Sequence, residues 1–215
     1  MKEMVVHKMG FSPNKIIYII SAIEIALLII LPLIIFYQRS KLTRKQYIIN
    51  IALLYLIWYF SYAGLHELCH MFGSWITGTK ILNYQLIPPF WKGDFKTAYV
   101  NPQFENNIQA VVSVIMPYLR DIIFLIIGFW LLIRKRINNH FIKGLILILF
   151  ILSPLFDIIN NYSVFVLLSF GDFNELSIRL GALYVNVIGL LFSLIATVIT
   201  LRIFELYKNH PCEIR

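Results

Sequence analysis

The chain has 215 residues, 59% hydrophobic and only 14% charged, with a net charge of +8 and a mean hydropathy of +0.75. A water-soluble domain of this length cannot bury so much apolar surface, which excludes a soluble globular enzyme and points to an all-α polytopic membrane protein with one transmembrane domain over residues 1–215. The positive residues lie between apolar runs, where membrane topology and anionic headgroups account for them, so the lipid bilayer is an expected partner and nucleic acid is not.

Five runs reach the roughly 20 apolar residues needed to cross a bilayer: Ile16–Tyr37, Tyr47–Ile76, Ile108–Ile133, Phe141–Phe170 and Ala182–Leu206. The second and fourth are long, which predicts tilt, kinks or projection beyond the lipid. The N-terminus lacks a short apolar core with a small-residue cleavage site, so the first run is expected to act as the targeting signal. Arg39, Lys41, Arg44 and Lys45 follow the first run, and Arg134, Lys135, Arg136 and Lys143 follow the third. The positive-inside rule places both connections in the cytoplasm, with the N-terminus outside and the C-terminus inside. A multi-pass protein of the cell membrane is expected. Cys69 and Cys212 lie far apart and offer neither a disulfide framework nor a CxxC knuckle.

The connection after the second run carries a predicted hairpin. Ile81 to Ile87 and Phe95 to Val100 read as strands, with turns at Pro88-Pro89 and Lys92-Gly93-Asp94. Its aromatic residues Tyr84, Phe90, Trp91, Phe95 and Tyr99 suit a membrane-associated position at the interface. The connection after the fourth run is weakly acidic through Asp172 and Glu175, and Gly171-Asp172 reads as a solvated turn.

The second run contains His66-Glu67-Leu68-Cys69-His70. Histidines four residues apart share one helix face, one turn apart, and can hold a single zinc ion with the glutamate beside its water. A chain of this composition produces the pattern by accident in only about 0.4% of cases, so a functional origin is the better account. Three ionisable groups placed together in hydrocarbon are costly, which argues the same way.

A hydrolytic zinc site needs three protein ligands and one open position. The other carboxylates embedded in the apolar runs, away from their ends, are Glu24, Asp121 and Asp157. Asp157 is the preferred third ligand. It sits near the middle of the fourth run, just after Ser153-Pro154, where proline bends a helix and turns the following residues toward a cavity. Asp121 adjoins Arg120, which predicts an ion pair, and Glu24 lies in the first run. Glu67 is the expected general base. Cys69 points to another face and reads as a packing residue. Asn160 and Asn161 lie on roughly the face of Asp157 and are candidate donors to substrate or a developing oxyanion, with interhelical hydrogen bonding as the alternative.

His66-Glu67-Leu68-Cys69-His70 together with Ser153-Pro154-Leu155-Phe156-Asp157 resembles the site-2 protease family of intramembrane zinc metalloproteases, the M50 peptidases. The resemblance implies a three-span catalytic core over about residues 47–170, two His and one distant Asp on zinc, and the Glu as catalytic acid and base. It also implies a membrane-associated β-hairpin after the HExxH helix, which Ile81–Val100 resembles. The implied role is regulated intramembrane proteolysis of a membrane-anchored protein substrate. Two other functions use the same residues: a catalytically inactive protein that binds or escorts membrane proteins, and a metal or proton transporter. Neither needs the glutamate at that offset.

Overall fold

The computed structural model describes residues 13–38, 42–88, 98–134, 137 and 139–209. Among the described residues, five helices are long and apolar enough to cross a membrane: Ile16–Gln38, Arg44–Ile76, Asn107–Ile133, His140–Leu168 and Ala182–Leu206. They match the five apolar runs to within a few residues, and are called the first to fifth long helices below.

Local chemistry sets where these helices start. Thr43 closes a capping box with Gln46 at the head of the second helix. Asn139 caps the fourth through the amides of Phe141 and Ile142. Proline explains two irregularities. The first helix widens to π geometry at Ile25–Ile30, just before Leu31-Pro32, and the fourth does so at Ile148–Leu152, just before Ser153-Pro154. The proline ring excludes the usual carbonyl partner one turn back, and the wider turn accommodates it. The bend expected near Pro154 therefore takes the form of a π segment.

The hairpin is a two-stranded antiparallel sheet of β1 (Lys80–Gln85) and β2 (Tyr99–Gln103), with an irregularity between Ile81 and Asn83. Both strands sit slightly off the expected bounds, and the proposed turn at Lys92-Gly93-Asp94, with Phe95 to Thr97, falls outside the described residues. At Gly64, one half-turn before the HExxH motif, a side chain would come within 3.3 Å of the Leu86 carbonyl, so the segment leaving β1 crosses the second helix close to the motif.

The second and third helices approach each other most closely at Gly73. A Cβ there would lie 2.8 Å from the Ser113 Cα, so only glycine permits this crossing. Ser74 and Ser113 bond across it, hydroxyl to hydroxyl, at 2.9 Å. The fourth helix is the most enclosed of the five. Its Phe156 sits edge-on to Trp58 and Tyr62 of the second helix. These crossings place the middle of the second, third and fourth helices around one buried polar centre.

Candidate metal centre

Trp58, Tyr62, His66, His70 and Ser74 recur every four residues, so they form one inward face of the second helix. His66 and His70 are both buried. Each ring is fixed at Nδ1. His70 Nδ1 donates to the Ser113 carbonyl at 2.9 Å, and Ser113 Oγ returns a bond to the His70 carbonyl at 3.0 Å. His66 Nδ1 donates to Asp157 Oδ2 at 2.8 Å. With both Nδ1 atoms committed as donors, both Nε2 atoms present lone pairs.

Those lone pairs converge. His66 Nε2 and His70 Nε2 are 3.1 Å apart. Asp172 Oδ2 lies 3.1 Å from the first and 3.2 Å from the second. Three acceptors meeting at this range require positive charge between them, either as extra protons or as one cation. Tetrahedral zinc with ligands at roughly 2.0–2.1 Å separates its ligand atoms by about 3.3 Å, so the donor set fits such an ion in type and spacing.

Asp172 is delivered by a chain reversal. The fourth helix ends on Ser169 in left-handed conformation (φ 53°), whose N–H bonds the Phe165 carbonyl. Gly171 follows at φ 83° and ψ −168°, a region open essentially to glycine alone. The short helix Asp172–Leu180 then begins, with Phe173 and Leu176 buried beneath it. Arg179 ties that helix to Asn107 at the start of the third long helix. Tyr118 donates its hydroxyl to Asp172 Oδ2 at 2.9 Å. Burial alone would push the Asp172 carboxyl up, but when the imidazoles carry the extra protons the charge of His70 and the hydrogen bonds from His66 and His70 hold it well below the usual carboxylate range.

Gly171-Asp172, expected as a solvated turn, therefore supplies the third converging group. The expected third ligand, Asp157, does not: it lies on the far side of the His66 ring. Its Oδ1 accepts from Tyr62 at 2.9 Å and from Asn161 at 2.8 Å. Its Oδ2 accepts from His66 at 2.8 Å and from Arg120 at 2.6 Å. Four donors occupy the lone-pair sites of one carboxylate, which leaves none for an ion. Asp157 instead sets the tautomer and orientation of His66, as a carboxylate behind a metal-ligating histidine does.

The other sequence candidates also find places. Asn161 bonds both the Asp157 carboxylate and its carbonyl, so it positions Asp157. Asn160 bonds Ser21 and Glu24 of the first long helix at 3.0 and 2.6 Å, which is interhelical bonding and not a donor to the centre. Glu24 is thereby placed outside the centre as well. Arg120 and Asp121 pair as expected. Glu67, within the motif, is half-buried and interacts electrostatically with both imidazoles and with Asp172. Cys69 is a free thiol.

Sequence reasoning missed Asp172, Tyr62 and Tyr118. Tyr62 had a usable signal, since it stands one turn before His66 on the same face. Asp172 had a weaker one: a glycine directly before an acid that opens a short amphipathic helix. Compared with family models, with curated proteins and with solved structures, the chain matches none.

Proposed function

We propose that this protein is an intramembrane zinc metalloprotease of the site-2 type, cutting membrane-anchored protein substrates. The observation that carries the reading is the convergence of His66 Nε2, His70 Nε2 and Asp172 Oδ2, with Glu67 adjacent to His66 in sequence and interacting electrostatically with all three residues. These three residues would hold the ion, in place of the set with Asp157. When bound, zinc supplies Lewis acidity toward water and toward a scissile carbonyl.

The chain's own residues do the rest. Glu67 accepts the proton of the attacking water at its carboxylate and returns it to the leaving amine. Asp157 and the Ser113 carbonyl hold the two imidazoles with Nε2 turned inward. Tyr118 fixes Asp172. His66 lies ten residues before Ile76, about 15 Å along the helix axis, so the centre sits below the helix end and within the membrane-length segment. A peptide bond at that depth belongs to a membrane-anchored chain; five membrane-length helices support a multi-pass protein, in this reading one of the cell membrane. The β1–β2 hairpin, against the same helix, is membrane-associated in this reading and offers a strand edge for an unwound substrate.

The test is zinc analysis of the purified full chain, together with cleavage of a transmembrane peptide in proteoliposomes. Glu67→Gln should keep one bound zinc and lose about 10²–10⁴-fold in cleavage rate. Cleavage at wild-type rate by that variant, or by metal-stripped protein, refutes the proposal.

A further inference from the structure

Arg120 lies in the third long helix with its side chain only 12% exposed. Its Nη2 bridges two fully buried carboxylates, Asp121 Oδ1 at 2.5 Å and Asp157 Oδ2 at 2.6 Å. Its Nε adds a second bond to Asp121 Oδ1 at 3.0 Å. The Phe124 ring, one turn on, lies 5.9 Å from the guanidinium. A guanidinium and two carboxylates inside membrane-length helices are costly to desolvate, and an aliphatic cluster would pack the same space without that cost. Neutralising Asp121 does not by itself explain the contact with Asp157.

The four partners of Asp157 differ in one respect. Tyr62 can donate or accept, Asn161 carries both kinds of atom, and the His66 ring nitrogen can play either part. Arg120 can only donate. Its contact makes Asp157 Oδ2 an obligate acceptor. The His66 nitrogen sharing that oxygen, Nδ1 at 2.8 Å, must then carry the proton. The lone pair of the ring is left at Nε2, facing His70 and Asp172.

We propose that Arg120 is a positioning residue for metal binding: through its bridge to Asp157 it fixes the tautomer and orientation of His66, and so sets the affinity of the centre for zinc. This rests on the reading of His66, His70 and Asp172 as metal ligands. Among the described residues the polar contacts of Arg120 go to Asp121 and Asp157 and not to the converging atoms, so its effect passes through Asp157.

The experiment uses the full chain in detergent as wild type, R120K, R120Q and R120Q/D121N, the last removing the partner charge that R120Q strands. Zinc affinity is measured by competition with a chromophoric chelator. The His66 tautomer is read from imidazole ¹⁵N–¹H spectra of metal-free protein at alkaline pH. Wild type should show His66 protonated on Nδ1 alone. R120Q/D121N should bind zinc about 10–100-fold more weakly and lose that single tautomer. R120K, a donor-only side chain, should recover affinity to within several-fold. Wild-type affinity and tautomer in R120Q/D121N overturn the proposal. So does His66 protonated on Nε2 in the wild type, which needs no variant, or an R120K that unfolds at the wild-type temperature without recovering affinity. Should wild type bind no zinc at all, the metal reading fails, and the tautomer spectra still judge Arg120.

Discussion

Two aspartates stand near the histidine pair, and isosteric replacement separates their roles. Asp172 Oδ2 lies 3.1 and 3.2 Å from the two free imidazole nitrogens. Asp157 Oδ2 lies 2.8 Å from the committed one. A closed zinc site yields on the order of 10–16 kcal/mol, or about 3 kcal/mol for each of its ligands. Asp172→Asn should therefore weaken zinc binding by roughly 10²–10³-fold, since about 1.4 kcal/mol corresponds to a factor of ten. Asp157→Asn leaves all three converging atoms in place. It turns an acceptor of four hydrogen bonds into a side chain whose amide confronts other donors, Arg120 and His66 among them, and a loss of about 10–100-fold in affinity is expected from the disturbed ring. Asp157→Asn should also lower the unfolding temperature more than Asp172→Asn, because Asp157 is fully buried while Asp172 retains 22% exposure. Competition with a chromophoric chelator on detergent-purified protein gives both affinities, and thermal circular dichroism gives both stabilities. A larger affinity loss in Asp157→Asn than in Asp172→Asn would return Asp157 to the ligand set and refute the geometry argued here.

Two further expectations concern the same centre. Gly171→Ala should destabilise the fold by about 1–3 kcal/mol and weaken metal binding, because alanine is strained at φ 83° and ψ −168°; space is not the obstacle, since the nearest atom to an added Cβ is Asn161 Oδ1 at 3.6 Å. Wild-type metal affinity in that variant would show that Asp172 reaches the centre without the glycine turn. Zinc affinity should fall on acidification, by up to about tenfold per pH unit for each imidazole that must shed a proton to bind. Asp172, held low by His70 and His66 against the effect of burial, stays anionic through that range and adds nothing to the slope. An affinity independent of pH from 8 to 5 would argue against imidazole ligation.

Much of the architecture was legible in order of residues alone. The five apolar runs reappear as five membrane-length helices because hydropathy and length are local properties. His66 and His70 were legible as a pair because four residues make about one helical turn. The two strands of the hairpin were legible from their strand-forming residues, with shifted bounds, while the turn expected at Lys92-Gly93-Asp94 lies outside the described residues. Asp157 misled for a physical reason. It sits near the middle of the fourth run just after Ser153-Pro154, where a bend can turn it toward the motif. It is indeed close, but a histidine ring has two nitrogens, and sequence does not say which one a neighbour meets.

Hydropathy and helical periodicity therefore determined, from the chain alone, a multi-helix apolar protein with two imidazoles on one buried face and a glutamate beside them. Tertiary structure alone decided which acid completes the group. That choice depends on a reversal at Ser169 and Gly171 that returns Asp172 to the second helix, and on how Arg120, Tyr62 and Asn161 already occupy Asp157. Both are contacts between residues far apart in sequence, and a carboxylate's role is set by which donors reach it.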